Sequence, residues 1–217
     1  CYDVCSAIIL SQIGFDAIFL SGYSVAASLL GKPDIGLTNL VETVSVARHI
    51  VSAIDVPLIV DVDDGYGNEN NVARTVYEIE SSGAAAMVME DQISPKRCGH
   101  SDNKKILPLA EYMKKLDCAL NARQTELLII ARTDETIIRA KTFYEAGADV
   151  IIIDGIQSLD ALKRIGEEVP GWKQVNLILC CKTPILNLDE LAQYGYKIAL
   201  YSTPTLYMAF KALQESM

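Results

Sequence analysis

The sequence has no run of basic residues and no long apolar segment. Its 217 residues carry 19 Lys and Arg against 28 Asp and Glu, a formal net charge of -9. Because a phosphate backbone is bound through basic side chains, this balance argues against a nucleic-acid partner. The longest apolar runs are strand-sized, well short of the roughly 18–20 residues of a membrane span, so no membrane partner is expected. No charged-then-apolar leader opens the sequence, which predicts a cytoplasmic location.

Cysteine is present, but without the spacing of a structural framework. The six cysteines stand at positions 1, 5, 98, 118, 180 and 181, and no CxxC pair occurs. This pattern argues against a zinc site and against a thiol-exchange motif, so reduced thiols are expected. Histidine is scarce as well. His49 lies in a predicted helix, where a surface or packing role is expected, and His100 lies two residues from Cys98.

Apolar, β-branched runs alternate with amphipathic segments along the whole sequence. Continuous apolar strands are typical of parallel sheets that are covered on both faces, and the alternation predicts the α/β class. The predicted strands are 15–22, 56–63, 84–91, 126–134, 148–155, 174–181 and 196–202. The named helical segments are 3–13, 39–54, 71–83, 111–124, 135–147, 159–169 and 204–215, and Gly83 and Gly147 are predicted helix stops.

Seven strands and eight helices, with a helix ahead of the first strand, fit a (β/α)8 TIM-type barrel whose first strand is missing from this sequence. Residues 1–217 are therefore predicted to form a single α/β-barrel domain. A doubly wound open sheet is the alternative. It is disfavoured because no glycine-rich nucleotide fingerprint follows any strand.

Polar residues gather where the predicted strands end, which is the edge that carries function in such barrels. Crowded carboxylates repel one another and need protons or a cation, and Mg²⁺, with Mn²⁺ second, suits oxygen ligands. The alternative for any single Asp is a helix cap. Asp61 and Asp63 have period-two spacing and point the same way if their strand persists. The strand-end residues are Ser21, Gly22, Tyr23, Asp61, Asp63, Asp64, Glu90, Asp91, Arg132, Thr133, Asp134 and Asp154.

The segment EDQISPKRCGH (90–100) places Cys98 among Lys96, Arg97 and His100. Positive neighbours favour the thiolate form of a cysteine and attract an anionic substrate. A Cys–His hydrolase is an alternative interpretation, although no oxyanion device or third partner is evident in the sequence.

Several segments, taken in order, resemble the isocitrate lyase side of the phosphoenolpyruvate mutase/isocitrate lyase superfamily. Besides the string around KRCGH, they are SGYSVAASLLGKPDIG (21–36), DVDDGYGN (61–68), IIARTD (129–134), EAGADVIIIDG (145–155) and KTPILNLDEL (182–191). The SGYS string is more similar to the 2-alkylmalate lyases than to the 2-methylisocitrate lyases, which usually carry SGG. Together these strings cover nearly the whole sequence.

The resemblance implies a Mg²⁺-dependent lyase that cleaves a small di- or tricarboxylate of the 2-methylisocitrate or 2-alkylmalate type into a 2-oxo acid and a carboxylate. Cys98 would be the general acid, Arg132 would pair with an anionic oxygen, and His100 would help to close the pocket. The remaining implied roles are metal binding or support for Asp61, Asp63, Glu90 and Asp34, and substrate contact for Ser21, Gly22, Tyr23, Gly99, Asn176 and Asp154. A homotetramer is also implied.

Two other functions stay open. Carboxyphosphonoenolpyruvate phosphonomutases share the KRCGH string, and a non-catalytic paralogue is disfavoured because Asp61, Asp63 and Cys98 are all present. The strand end Leu179-Cys180-Cys181 replaces an acidic residue and two glycines of the family pattern, so the substrate is not copied from any relative. By the same resemblance, a loop after Asp134 and a C-terminal swapped helix are expected to be missing from this sequence.

Overall fold

The computed structural model describes residues 1–96, 105–178 and 183–217. Within them, seven strands form one sheet in chain order, and all neighbouring strands are parallel. The strands are β1 (Ile18–Leu20), β2 (Leu58–Asp61), β3 (Ala86–Glu90), β4 (Leu128–Thr133), β5 (Val150–Ile153), β6 (Trp172–Leu177) and β7 (Ile198–Tyr201). The sheet is a nearly closed barrel of the α/β TIM type, which confirms the predicted fold class.

Helices alternate with the strands, and most begin at a side chain that caps their free N–H groups. They are α1 (Val4–Ile13), α2 (Gly22–Val25), α3 (Leu40–Val51), α4 (Glu69–Ser82), α5 (Leu109–Ala122), α6 (Ile137–Glu145), α7 (Leu159–Glu168), α8 (Leu188–Gln193) and α9 (Pro204–Ser216). A π-helix (Ala26–Leu30) continues α2. All seven named helical segments are confirmed, and Gly83 ends α4 in the left-handed conformation. The short helices α2 and α8 and the π-helix were not among the named segments.

Most strands are apolar on both faces because they contact two cores. One set of side chains packs outward against the helices, and the alternate set packs inside the barrel. The inner cluster consists of Ile59, Ala86, Val88, Ile130, Val150 and Ile152. Two residues beyond members of this cluster come Asp61, Glu90, Arg132 and Asp154. This alternation therefore lays a polar layer on the inner apolar layer, at the carboxyl ends of the strands.

None of the helices in the described ranges is long and apolar enough to cross a membrane.

Candidate active site

Four carboxylates and one ammonium group meet at the carboxyl ends of the strands, and we call this group the acidic cluster. It comprises Asp34, Asp61, Asp63, Glu90 and Lys96. The Lys96 Nζ lies 3.0 Å from the Asp34 Oδ1 and also contacts the Asp63 carboxylate. Lys96, Asp34, Asp63 and Glu90 are between 5% and 8% exposed. The cluster therefore holds more negative than positive charge, away from most of the solvent.

Asp61 and Asp63 come together through a turn and not along a strand. β2 ends at Asp61, and Asp63 adopts a left-handed conformation with φ of 51°. β2 does not continue through Asp63, so the condition under which the two carboxylates would point the same way along one strand is not met. At this turn the Asp63 carbonyl accepts a 2.8 Å hydrogen bond from the Glu90 N–H of β3, and the Gly65 N–H donates to the Val62 carbonyl at 2.9 Å. The turn brings the Asp63 N–H to 3.2 Å from the Asp61 Oδ1.

Gly22 lets the backbone of α2 approach this pair of carboxylates. Its N–H donates to the Asp61 Oδ2 at 3.2 Å. A Cβ at this position would lie 3.1 Å from that oxygen and 3.4 Å from the Asp63 Oδ1. Ser21 is the N-cap of α2, and its Oγ accepts a 3.3 Å hydrogen bond from the Ser24 N–H. The SGY string thus presents a helix start directly above the cluster.

The burial of the cluster changes its protonation. Burial raises the pKa of Asp63 to about 7, even though Lys96 pulls it down, and Asp61 adds to the rise. Burial likewise raises the pKa of Glu90 to about 8, against the lowering effects of Arg132 and Lys96. For Lys96 the surrounding carboxylates outweigh burial, so its pKa lies well above the ordinary value. Lys96 is charged, and the carboxylates still lack countercharge.

This donor set fits a hard divalent cation. All the candidate ligands are carboxylate oxygens, the chemistry that Mg²⁺ and Mn²⁺ prefer. In residues 1–96, 105–178 and 183–217, no three His, Cys, Asp or Glu side chains form a group that could hold a metal by themselves. Mg²⁺ does not need such a cage, because it commonly binds through one or two carboxylates and keeps several waters. Asp61 and Asp63 form the candidate pair, since an oxygen of each lies within 3.4 Å of the position that a Cβ on Gly22 would take.

Arg132, at the end of β4, lies at the centre of a second group of charges. Its guanidinium group is 2.8 Å from the Asp154 carboxylate, 3.2 Å from that of Asp134 and 3.5 Å from that of Glu90. Burial would lower the pKa of Arg132, but these carboxylates raise it well above the ordinary value. A fixed, charged guanidinium therefore adjoins the acidic cluster and can bind an anionic oxygen.

Two amides continue the polar layer on β6. Asn176 is 7% exposed, and its Oδ1 accepts a 3.3 Å hydrogen bond from the Nε2 of Gln174. On the other side of the rim, the Tyr23 hydroxyl lies 2.8 Å from the hydroxyl of Tyr207 in α9. The predicted substrate contacts thus extend around the rim from β1 to β6.

Some residues at the strand ends point away from this site, Asp91 because side chains alternate along a strand and Asp64 because it lies in the turn after β2. Asp91 faces the helices, where its carboxylate lies 2.8 Å from the Arg139 Nε. Asp64 is paired with Lys115 at 2.9 Å. The helix-cap alternative does not hold for the inward-facing acids, because the caps of the helices after the strands are Ser21, Asn39, Asn68, Thr136, Ser158 and Asn187. His49 is exposed on α3.

Cys98, Gly99 and His100, together with Leu179-Cys180-Cys181, lie outside the described residues. Within the described ranges, the sequence pattern does not identify Gln174 or Tyr207 as site residues, and it places Lys96 only as a neighbour of Cys98. The excess of carboxylates at the strand ends is a signal for Lys96, since such a group needs a positive charge nearby. Gln174 had a signal too, because it lies two residues before Asn176 and hence on the same face.

The sequence matches the protein family described as Phosphoenolpyruvate phosphomutase over residues 1–217. A 2,3-dimethylmalate lyase of Eubacterium barkeri is 39% identical over 221 residues, which cover 98% of this chain and 76% of the relative. The chloroplastic carboxyvinyl-carboxyphosphonate phosphorylmutase of Arabidopsis thaliana is 38% identical, with 98% and 67% covered. A 2-methylisocitrate lyase of Aeropyrum pernix is 36% identical, with 97% and 70% covered.

Solved structures agree in fold. A 2,3-dimethylmalate lyase, described as a PEP mutase/isocitrate lyase superfamily member, superposes with a TM-score of 0.95 at 32% identity, covering 99% of this chain and 76% of that one. A phosphonopyruvate hydrolase in complex with oxalate and Mg²⁺ gives a TM-score of 0.87 at 28% identity, with 99% and 78% covered.

Proposed function

Because the chain belongs to the phosphoenolpyruvate phosphomutase family, whose relatives are lyases and mutases, we propose that it is a divalent-metal-dependent carbon–carbon lyase for a 2-alkylmalate or 2-methylisocitrate. The observation that carries this proposal is the buried acidic cluster beside the Arg132 guanidinium. The acidic cluster can bind a cation, and the guanidinium can bind an anionic oxygen of a carboxylate substrate.

The proposed reaction cleaves a 2-hydroxy acid between the hydroxyl-bearing carbon and its neighbour. Loss of the hydroxyl proton lets that oxygen form the carbonyl of a 2-oxo acid as the carbon–carbon bond breaks. The bonding electrons pass to the neighbouring carbon, which lies next to a second carboxylate, and a proton completes the carboxylate product. Arg132 would stabilise the charge that develops on that second carboxylate. Cys98 would supply the proton, because a thiol with an ordinary pKa of about 8.5 retains it near neutrality.

A divalent cation, Mg²⁺ in the first place, would be held by Asp61 and Asp63, with Glu90 and Asp34 around it. When bound, it would lower the cost of removing the hydroxyl proton. The role of the chain's own residues is to orient these carboxylates. The Gly22 N–H and the Asp63 N–H each donate to one oxygen of Asp61, which fixes the plane of that carboxylate.

The proposed substrate contacts come from residues at the carboxyl ends of the strands. Ser21, Gly22 and Tyr23 would contact the 2-oxo-acid half from the start of α2. Asn176 would contact the second carboxylate. Asp154, which is 6% exposed and paired with Arg132, would hold the guanidinium in place. Gly99 and His100 would help to close the pocket in this proposal, as the family pattern implies. The homotetramer, the single domain over 1–217 and the cytoplasmic location stay predictions.

A phosphonomutase is the second candidate, because one relative at 38% identity is named a carboxyvinyl-carboxyphosphonate phosphorylmutase. The two activities are separable with purified protein. We expect release of a 2-oxo acid from 2,3-dimethylmalate or 2-methylisocitrate in Mg²⁺, and loss of that release in excess EDTA. Product formation from carboxyphosphonoenolpyruvate, without cleavage of either hydroxy acid, would favour the mutase and refute the lyase.

The acid role of Cys98 has a matched control in the chain. Cys98→Ser should abolish turnover while leaving product binding intact, since the hydroxyl is a far weaker acid than the thiol. Cys118→Ser on α5 changes a free cysteine away from the site and should leave turnover unchanged. Full turnover by Cys98→Ser would remove Cys98 from the acid role.

A further inference from the structure

Gln174 places an amide inside the apolar interior of the barrel. It is 1% exposed in the middle of β6. In the sheet it pairs with Ile152 on one side and with Ile198 on the other. Ile152 belongs to the inner apolar cluster, and Ile198 packs against that cluster. The surroundings of Gln174 are therefore those of an aliphatic side chain.

The amide is costly in this position. The Gln174 Oε1 is buried and has no hydrogen-bond partner among the described residues. A buried polar atom without a partner destabilises the folded state, so methionine or leucine would pack better here. The one polar contact of the side chain in the described ranges is its Nε2 donating to the Asn176 Oδ1 at 3.3 Å. Stability alone gives no reason for a glutamine at this position.

In the structure this contact orients Asn176, because the Gln174 amide presents its Nε2 donor to it. An asparagine amide has an acceptor on one side and a donor on the other, and the two ends can exchange by a flip. When Oδ1 accepts from Gln174 below, the Nδ2 hydrogens turn toward the rim. In the described part of the chain, no side chain or carbonyl accepts from this Nδ2. A carboxylate only accepts hydrogen bonds, so this orientation binds it and the flipped one repels it.

We propose that Gln174 is a positioning residue that fixes the Asn176 amide with its N–H group facing the second carboxylate of the substrate. The inference rests on the proposed function, in which Asn176 contacts that carboxylate. It adds a residue that the substrate does not touch but on which its affinity depends. The chemical class recognised is a dicarboxylate, bound through an oriented amide beside a guanidinium.

The test compares three substitutions in the complete chain. Gln174→Met fills the same space without a donor, so KM for the cleaved hydroxy acid should rise about tenfold. kcat should change less than threefold, and the unfolding midpoint should stay the same or rise. Gln174→Leu likewise offers no donor in the same space, so its KM should rise to a similar extent. Ile198→Val alters the same apolar layer without touching Asn176, and it should lower the midpoint while leaving KM unchanged.

The Asn176→Ala background separates positioning from packing. If Gln174 acts through Asn176, Gln174→Met should have no further effect on KM once Asn176 is alanine. A KM for Gln174→Met within twofold of the original, or an undiminished effect in the Asn176→Ala background, would overturn the proposal.

Equilibrium binding keeps the two proposals apart. If the unaltered chain cleaves no hydroxy acid, the lyase proposal fails, and the positioning role is then read from succinate binding in Mg²⁺ by calorimetry. Gln174→Met should weaken succinate binding about tenfold. Equal succinate affinity for the original chain and the variant would overturn the role of Gln174 whatever reaction is catalysed, as would an absence of succinate binding.

Discussion

Replacement of Lys96 by methionine tests the electrostatics of the acidic cluster. The Lys96 Nζ contacts Asp34 at 3.0 Å and also contacts Asp63, and all three side chains are 8% exposed. At this distance and an effective permittivity of about 20, one ion pair amounts to roughly 5 kcal/mol before desolvation is subtracted. Breaking a buried pair costs about 3–5 kcal/mol, because it leaves an uncompensated charge. We expect Lys96→Met to lower the free energy of unfolding by about 4 kcal/mol at pH 8.

The loss should depend on pH in a definite direction. The pKa of Asp63 in the folded protein is already raised to about 7 by burial, above the ordinary value of about 3.9. Without Lys96 it rises further, so the folded state of the variant holds its proton more tightly. A raised acid pKa means that stability falls as pH rises through the window between the two values. The deficit of Lys96→Met should therefore be clearly smaller at pH 5.5 than at pH 8.

Urea unfolding in EDTA at both pH values measures this deficit. Lys114→Met is the matched control, since Lys114 is exposed on α5, and it should change stability by less than about 0.5 kcal/mol. An equal deficit at pH 5.5 and pH 8, or a loss below about 1 kcal/mol at pH 8, would refute the electrostatic reasoning.

Three further substitutions probe other parts of the structure. The Glu80 Oε1 accepts three 2.8 Å hydrogen bonds from the 124–125 turn, two of them from Thr125; these outweigh burial and lower its pKa. Glu80→Gln should lower the free energy of unfolding by about 1 kcal/mol at pH 7 after screening. The difference in stability between the variant and the original chain should shrink as pH falls through that lowered pKa. A difference in urea unfolding that is the same at pH 3 as at pH 7 would contradict this. A Cβ on Gly166 would lie 1.9 Å from the Tyr194 carbonyl oxygen, so Gly166→Ala should cost about 3 kcal/mol, and an unchanged thermal midpoint would count against it. Gly22→Ala should lower kcat/KM about tenfold, because the added Cβ displaces a carboxylate of the acidic cluster. An unchanged kcat/KM in the assay for 2-oxo-acid release would disprove this.

The barrel could be predicted because continuous apolar runs, typical of buried parallel strands, recur along the chain. Val150–Ile153 is buried on both faces, and such a run leaves few alternatives to a parallel strand. The inward layer could be predicted as well, since Asp154 lies two residues after Ile152 on the same face. The α2 helix is different. It has four residues and begins at the Ser21 cap, so no helical period was long enough to detect.

The details of the site depend on contacts between distant parts of the chain. Asp63 turns out of its strand while its carbonyl accepts a hydrogen bond from a β3 amide, and no local pattern predicts such a bond. Lys96 lies in the loop after β3, so its spacing from Glu90 does not predict that its ammonium group contacts Asp34. The sequence gives no sign that Gln174 is buried, because its apolar neighbours lie on the adjacent strands. Sequence periodicity fixes which face a side chain occupies, whereas its partner depends on tertiary packing.

A crystal structure of the chain with Mg²⁺, pyruvate and succinate would test the central claim most directly. We expect a cation at Asp61 and Asp63, with the 2-oxo acid beside it under the α2 N-terminus. We also expect a succinate carboxylate between Arg132 and the Asn176 Nδ2. A cation elsewhere, or a phosphonate bound at Arg132 in preference to succinate when both are supplied, would contradict the assignment as a carbon–carbon lyase.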